Sequence, residues 1–259
     1  MGRLRWFVWF GAFVSAMVTP RAWAAEPASI PVSLTYLGHS AFLLEAGGQR
    51  WVTDPFSPGM GYPDLHLQAD GVTVSHEHTD HNFVQAITGH PQVVRGLDAR
   101  GNWQPVRLQE GPWSIRTVPT YHDGEQGKQR GKNSVFVFIV GGLHIVHLGD
   151  LGHLLTPAQV QEIGPVDVLL IPVGGHFTID AGQAAEVVAQ LHPKVIIPMH
   201  FNNGLPAMRS WPIQGVAPFL EAMKAKALIH QGVGPTVTLE YSRLPAKPEV
   251  WVMKWVGQR

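Results

Sequence analysis

The stretch SHEHTDH, residues 75–81, contains three histidines and two acidic residues in seven positions. Four of these side chains are good ligands for zinc, manganese or iron: His76, His78, Asp80 and His81. In an extended segment, residues two apart point the same way, so His76 and His78 can reach one ion while the next two ligands serve a neighbouring one. A solvated loop with incidental histidines is the alternative, and so many ligand-type residues together disfavour it. The stretch therefore predicts two ions about 3.5 to 4 Å apart.

A two-ion site needs more ligands than one loop supplies, and three more candidates each follow a predicted strand. His122 follows residues 113–118, Asp150 follows residues 143–148, and His200 ends residues 194–199. Each stands where a strand continues into a loop, as the opening stretch does. We expect them at the same sheet edge, with a metal centre between them.

The distribution of apolar residues predicts many strands first, and then strands alternating with helices. The predicted strands of the first half are residues 32–37, 41–46, 72–75, 113–118, 134–140 and 143–148. The second half has helix signals, with Thr156 and Asp180 as N-caps and Gly164 and Pro193 near the ends. The elements predicted there are helices 157–163 and 218–227, a helix between the N-cap Asp180 and Pro193, and strands 166–172, 194–199 and 236–241.

Length and composition indicate a folded enzyme-sized domain. The chain has 259 residues, 45% of them hydrophobic, which is enough for a buried core. No linker or low-complexity segment divides residues 25–259, so we expect a single domain there. The absence of cysteine excludes disulfides and thiolate metal ligands.

Residues 1–24 have the pattern of a cleaved secretory signal. Arg3 and Arg5 precede an apolar run over residues 6–18, and Ala22 and Ala24 stand where a signal peptidase reads small residues. A membrane anchor is the alternative, but the run is short for a bilayer. Cleavage would remove three of the 19 basic residues and none of the 19 acidic ones, leaving a formal charge of −3, which gives no reason to expect nucleic-acid binding. The predicted location of the exported protein is the bacterial periplasm, with no stable membrane insertion after cleavage of the signal.

The pattern His-x-His-x-Asp-His at residues 76–81 resembles the signature of the metallo-β-lactamase fold superfamily. Other segments resemble the branch of metal-dependent hydrolases that includes the ascorbate-phosphate lactonases. These segments are LGHSAF at residues 37–42, Asp54-Pro55, Gly149-Asp150, VLLIP at residues 168–172 and IPMH at residues 197–200. The resemblance implies an α/β fold of the αββα type, with two mixed sheets face to face and helices outside.

The resemblance also implies how a dinuclear centre would be bound. One ion would be held by His76, His78 and His122, and the other by Asp80, His81 and His200, with Asp150 bridging them. Asp54 would support the signature loop through hydrogen bonds, as histidine ligands generally require.

Four further histidines are candidates near the site. His39 either lies near the pocket or hydrogen-bonds within a turn. Because adjacent strand residues alternate in direction, at most one of His147 and His153 faces the metals, and His153 is favoured. His176 follows Gly174-Gly175 and is a candidate proton donor, with a structural turn histidine as the alternative.

Two other features are candidates for substrate binding. The basic turn at residues 130–133, which contains Arg130 and Lys132, either holds an anionic substrate group or is a solvated start of a hairpin. Trp211 either covers the pocket or belongs to the core.

The sequence predicts metal-dependent hydrolysis, in which a hydroxide held by the ions attacks a carbonyl carbon or phosphorus. The favoured cofactors are two divalent ions, zinc first, with manganese or iron as alternatives. Asp80 and His176 are the candidate catalytic residues, and the expected substrate is a small-molecule ester, lactone, amide or phosphodiester. The alternatives are a non-catalytic metal-binding or sensing protein and an iron-dependent redox protein.

Overall fold

The computed structural model describes residues 1–2 and 30–258 of the chain. The expected signal sequence, residues 1–24, lies outside the described residues apart from its first two, so its cleavage and the expected export stay predictions. Within the described ranges, no helix has the length and apolar character needed to cross a bilayer.

Sixteen strands are present in the described part of the chain. They are β1 Val32–Gly38, β2 Ala41–Ala46, β3 Gln49–Thr53, β4 Leu67–Gln68, β5 Gly71–Val74, β6 Ile87–Thr88, β7 Gln92–Arg95, β8 Arg107–Glu110, β9 Trp113–Tyr121, β10 Lys132–Val140, β11 Leu143–His147, β12 Val168–Pro172, β13 Val195–Met199, β14 Leu228–Val233, β15 Thr236–Leu239 and β16 Glu249–Met253. The same residues include three α-helices: α1 Pro157–Ile163, α2 Ala181–Leu191 and α3 Ala217–Met223.

The strands form two large mixed sheets and one small one. The first sheet has six strands in the order β15-β1-β2-β3-β5-β7, and the second has eight in the order β14-β16-β13-β12-β11-β10-β9-β8. Strands β3, β5 and β7 run parallel to one another, as do β11, β12, β13, β16 and β14. The remaining neighbours in both sheets are antiparallel. Strands β4 and β6 form a separate two-stranded sheet.

The core between the two sheets contains side chains from both. Phe42 and Trp51 of the first sheet share an apolar cluster with Trp113 and Phe136 of the second. Residues of β10 alternate between layers: Phe136 and Phe138 face this cluster, whereas Val135 and Val137 face the helices on the other side. Because the second sheet is covered on both faces, its central strands are continuous apolar runs.

The helices cover only the outer face of the second sheet. The apolar face of α2, including Val187 and Leu191, packs there together with Phe219 of α3 and Ile163 of α1. The outer face of the first sheet is covered instead by loops, whose Phe56, Met60 and Met208 pack on Val52 and Val72. The expected sandwich is therefore confirmed, and its second outer layer consists of loops and 3-10 helices in the described residues.

Several predicted boundaries hold because local signals fix them. Helix α1 has Thr156 as N-cap in a capping box and Gly164 as C-cap, and α2 has the capping box of Asp180 and Gln183. The third helix was predicted to reach residue 227 but ends at Met223. Its last carbonyl accepts bonds from the N–H groups of Lys226 and Ala227, which turn the chain into β14, a strand that was not predicted.

Candidate metal centre

The site lies at the edge where the ends of strands from both sheets meet. Two backbone hydrogen bonds join the sheets there, from Ser134 N–H to the Ser75 carbonyl at 3.1 Å and from His200 N–H to the His39 carbonyl at 3.0 Å. Residues just beyond strand ends supply the polar side chains: His39 after β1, Asp54 after β3, His76 after β5, His122 after β9, Asp150 after β11 and His200 after β13. Residues far apart in sequence are thereby brought to one place.

The first group of metal-ligand side chains consists of His76, His78 and His122, whose ligand atoms lie within 4.8 Å of one another. His76 Nε2 lies 3.1 Å from His78 Nδ1. The hydroxyl of Ser75 lies 2.9 Å from His76 Nδ1 and so fixes the ring with its other nitrogen towards the group. These three residues are the ones the resemblance assigned to one ion.

The second group contains four residues: His39, Asp80, His81 and His200, again with ligand atoms within 4.8 Å of one another. Three of them are the residues assigned to the second ion. The fourth, His39, was left open between pocket and turn, and its Nε2 lies 3.1 Å from Asp80 Oδ2. Its backbone has a φ of 52°, which turns the ring from the end of β1 into the site.

Asp150 lies between the two groups. Its Oδ2 is 3.2 Å from Nε2 of both His122 and His200, and its Oδ1 is 3.3 Å from His81 Nε2. One buried carboxylate thus contacts ligands of both groups, as a bridging residue requires.

Asp54 supports the signature loop from below, as expected. One of its oxygens accepts a hydrogen bond from the Ser75 backbone N–H at 2.8 Å. The other accepts from the Ser75 hydroxyl at 2.6 Å and lies 3.0 Å from His81 Nδ1. This carboxylate–imidazole contact directs His81 Nε2 towards Asp150.

Asn133 has a role that the sequence did not indicate. The sequence placed it in a basic turn that either holds an anion or is a solvated start of a hairpin, but it is fully buried and its side-chain carbonyl accepts a hydrogen bond from Asp150 N–H at 3.0 Å. Its amide donates to Thr120 Oγ1 and to the Leu148 carbonyl. Lys132 of the same turn lies over the ring of Trp103 and contacts Asn102. Asn133 therefore positions Asp150, and only Arg130 of this turn lines the main cavity.

Burial sets the charge of three histidines in the cluster, two in the first group and one in the second. Burial and the neighbouring His81 lower the pKa of His76 well below its usual value, and burial and His122 lower the pKa of His78. Burial and His200 lower the pKa of His39 to about 4. These imidazoles are neutral at pH 7, which is the form that binds a metal ion.

Contacts between the carboxylates and the histidines have the opposite effect to burial, because they favour the charged forms. Burial opposes ionisation of Asp150, but His200 and His81 outweigh it and hold the pKa of Asp150 well below its usual value. Burial likewise disfavours a charge on His81, yet Asp150 and Asp80 raise the pKa of His81 well above its usual value. A proton on His81 thus compensates the buried carboxylates, and a bound cation would displace it.

Two buried atoms test whether these residues fit a metal. His81 Nε2 and Asp150 Oδ1 are buried at the centre of the cluster and lie 3.3 Å apart, yet neither has a partner in hydrogen-bond geometry among the described residues. An unpaired buried polar atom costs about 1–3 kcal/mol, so such atoms in a native site need a ligand. Nitrogen and oxygen donors without sulfur suit zinc, manganese or iron. The residues present therefore fit divalent cations.

Two expectations about nearby histidines are not met. His153 was favoured to face the metals, but its Nε2 accepts a hydrogen bond from the Tyr121 backbone N–H at 3.1 Å. His176 was a candidate proton donor, but it is exposed and its ring lies against Phe177, which lines the cavity in its place. His153 is held away from the cluster by backbone groups of Tyr121 and Leu154, whereas the side chain of His176 faces solvent. His147 is buried and bound to the Ser40 carbonyl at 2.8 Å.

Glycines that press against site residues are a signal that sequence reasoning missed. A Cβ on Gly152 would lie 2.3 Å from the carbonyl carbon of His122, and one on Gly174 would lie 2.3 Å from the carbonyl oxygen of His200. Both ligand-bearing loops therefore need a residue without a side chain at the point of contact.

A cavity of about 420 Å³ opens above the cluster. Its floor is formed by His78, Asp80, His122, Asp150 and His200. Trp211 lies on its wall, as one of the two sequence interpretations expected, and its ring contacts that of His39 edge-on at 5.8 Å between centroids. A small molecule can therefore reach the side chains of both groups.

Comparison with known proteins agrees with the fold and with a metal-dependent activity. Residues 33–200 match the family model described as the beta-lactamase superfamily domain. The chain is 30% identical over 213 residues to a UPF0173 metal-dependent hydrolase of Carboxydothermus hydrogenoformans, covering 70% of this chain and 87% of that protein. It is 32% identical over 198 residues to one of Pyrococcus furiosus, covering 68% and 87%.

A solved structure is also similar. The crystal structure of a protein from Thermotoga maritima, described as a candidate Zn-dependent hydrolase of the metallo-beta-lactamase superfamily, matches with a TM-score of 0.67 and 39% identity, covering 86% of this chain and 98% of that one. Together with these relatives, the two-sheet sandwich with histidine and aspartate side chains at its edge indicates a metal-dependent hydrolase. The chain belongs to the metallo-β-lactamase superfamily. The lactonase branch within it stays a prediction.

Proposed function

We propose that this protein is a dinuclear metal-dependent hydrolase that cleaves an ester, lactone, amide or phosphodiester bond in a small molecule. The observation that carries the proposal is the position of Asp150, which contacts His122 of one ligand group and His81 and His200 of the other at 3.2–3.3 Å. A carboxylate shared by two groups is suited to two neighbouring cations.

When bound, the two cations would polarise the scissile group and acidify a water molecule. The chain's own residues orient the ligand side chains around the cations. Asp54 fixes the ring of His81, and Asn133 fixes the backbone of Asp150. Asp80 lines the cavity with its side chain 21% exposed, and His39 lies at one of its oxygens. Burial opposes ionisation of Asp80, but His81 and His39 hold its pKa well below the usual value, so Asp80 is the ionised carboxylate placed to hold a cation and to accept a hydrogen bond beside the substrate.

The metal and the setting of the reaction are part of the proposal. Histidine and carboxylate donors favour zinc, with manganese or iron as alternatives. The leader pattern of residues 1–24 supports export to a bacterial periplasm. The cavity of about 420 Å³ is of a size for a small molecule, and the composition favours no nucleic-acid partner.

Metal analysis and a hydrolase panel test the proposal. We expect about two ions per chain in the purified protein and turnover of an ester, lactone, amide or phosphodiester. Asp150→Ala should lose one or both ions and at least about 100-fold in activity, while the circular dichroism of the sheets is retained. Asp167→Ala is the matched control. Asp167 accepts a hydrogen bond from the His144 backbone N–H outside the site, so this variant should keep both ions.

The alternatives predict different results. A metal-binding or sensing protein would contain metal without turnover on any substrate of the panel. An iron-dependent redox protein would contain iron and react with oxygen or peroxide. Full activity of Asp150→Ala would contradict the bridging role.

A further inference from the structure

The outer wall of the cavity contains a cation that the metal centre does not use. Arg130 lines this wall together with Phe177 and Trp211. Among the described residues that line the cavity, the acidic ones are Asp80 and Asp150, both on the floor with the histidines. A positive side chain therefore faces a space whose outer wall has no negative one.

The guanidinium of Arg130 has few partners. Its Nη1 lies 3.4 Å from Gln129 Oε1, and its Cζ lies 5.7 Å from the centre of the Phe177 ring. Within residues 30–258 it makes no ion pair, whereas Arg50 and Arg95 each pair with a glutamate. A guanidinium has five N–H donors in a planar fork that matches a carboxylate or phosphate. Most of these donors are available to a ligand.

The backbone at Arg130 is held in place by Asp123. This buried carboxylate accepts hydrogen bonds from four backbone N–H groups at 2.7–2.9 Å: those of Glu125, Gly127, Gln129 and Arg130. The other end of the turn is fixed as well, because His122 N–H donates to the Gly131 carbonyl at 3.0 Å. The turn that carries Arg130 is therefore held by hydrogen bonds to two adjacent residues, the candidate ligand His122 and its neighbour Asp123.

Aromatic residues complete the wall. Phe177 and Trp211 contact each other edge-on with 6.3 Å between ring centroids. Their faces and edges suit a planar or apolar part of a ligand. The wall thus combines one fixed cation with an aromatic surface, beside the floor where the proposed reaction takes place.

We propose that Arg130 forms an anion subsite, so that the substrate is a small organic anion: its carboxylate or phosphate binds Arg130, its planar or apolar part contacts Phe177 and Trp211, and its scissile bond reaches the metal-centre floor. The last part rests on the proposed hydrolase function. Binding of the anion does not require turnover, so the two proposals can fail separately.

Equilibrium binding tests the subsite on the purified, metal-containing protein. Three probes share a phenyl ring: phenylphosphonate, benzoate and the neutral benzamide, each titrated by calorimetry. We expect Arg130→Gln to raise the Kd of at least one anion about 10- to 100-fold and to leave benzamide within threefold, because only a charge-assisted hydrogen bond is lost. Arg107→Gln removes an exposed arginine of β8 and should change nothing.

The pattern of the two anions identifies the group that the subsite prefers. A larger effect on phenylphosphonate indicates a phosphate, and a larger effect on benzoate indicates a carboxylate. Arg130→Lys keeps the charge but not the fork, and should recover part of the affinity. If Arg130→Gln binds both anions within threefold of the wild type, or if the wild type binds neither at millimolar concentration, the subsite proposal is wrong, whatever the hydrolase panel gives.

Discussion

His39 Nε2 lies 3.1 Å from Asp80 Oδ2, so a residue 41 places earlier in the chain orients one of the candidate metal-ligand carboxylates. His39 is fully buried, and its ring lies 4.3 Å from that of His200 between centroids. It therefore belongs to the same side-chain cluster as the second ligand group. This contact joins the end of β1 to the signature loop.

Replacing His39 should weaken metal binding at the second group. His39→Asn accepts the positive φ of this position but is too short to reach Asp80. We expect metal affinity to fall about 10- to 100-fold for one of two ions, measured by competition with a chelator. His153→Asn, which alters a histidine outside the cluster, should retain both ions. Equal affinity of His39→Asn and the wild type would show that Asp80 needs no support from His39.

Removing the carboxylate of Asp54 should reduce both stability and metal affinity. Asp54→Ala leaves buried donors of Ser75 and His81 without an acceptor, each at about 1–3 kcal/mol. We expect the free energy of unfolding, from urea titration of the chelator-treated protein, to fall by about 3 kcal/mol or more. Asp70→Ala is the control, because Asp70 accepts one exposed bond from Arg50 N–H and should cost about 1 kcal/mol or less. Similar losses in the two variants would be inconsistent with the role of Asp54.

A methyl group at Gly152 should displace His122. Its Cβ would lie 2.3 Å from backbone atoms of His122 and Asp123, which cannot move aside as a flexible side chain would. We expect Gly152→Ala to lose affinity for the ion of the first group by about tenfold or more, measured by metal stoichiometry after dialysis. Gly124→Ala is the matched control in the facing loop, since its nearest neighbour is the Gly152 carbonyl oxygen at 3.9 Å. Unchanged metal content in Gly152→Ala would show that the loop can shift without losing the ligand.

The metal-free protein should lose stability as the pH falls. Burial lowers the pKa of His76, His78 and His147, and lowers that of His39 to about 4, whereas each takes up a proton near pH 6.5 on unfolding. The unfolded state therefore binds more protons between about pH 6.5 and 4, so the free energy of unfolding falls as the pH is lowered through that range.

His81 acts in the opposite direction. Burial lowers its pKa, but Asp150 and Asp80 outweigh burial and raise it. The contribution of His81 to the free energy of unfolding is therefore fully present below about pH 6.5 and is lost as the pH rises through its pKa in the folded state. The four histidines with lowered pKa values outweigh the one with a raised pKa. We therefore expect the free energy of unfolding of the chelator-treated protein, measured by urea titration, to be lower at pH 5 than at pH 7.5. A free energy of unfolding that is constant or higher at pH 5 would contradict this balance.

The local parts of the site could be predicted from the sequence because they depend on short-range geometry. The capping residues Thr156 and Asp180 set helix starts within one turn. The clustering of His76, His78, Asp80 and His81 indicated a metal site from side-chain chemistry alone.

The roles of other residues depend on contacts that no local pattern encodes. The sequence around Asn133 indicates a basic turn. In the structure β10 packs beside the Asp150 loop, so Asn133 is buried and hydrogen-bonds to the Asp150 backbone. His176 has the residue type of a proton donor, but its backbone φ of 59° turns it out towards solvent. The outer layer of the first sheet was expected to be helical, and loops cover it because apolar side chains on irregular segments bury that face equally well.

The sequence by itself determined the strand-rich sandwich and the chemistry of the metal ligands, because apolar periodicity and residue type act over a few neighbouring positions. Only the tertiary structure decided that Asp150 contacts both ligand groups, that His39 belongs to the second of them, and that Arg130 faces the cavity. These relationships arise where two separately built sheets meet, and their distances follow from packing across the sandwich rather than from spacing along the chain.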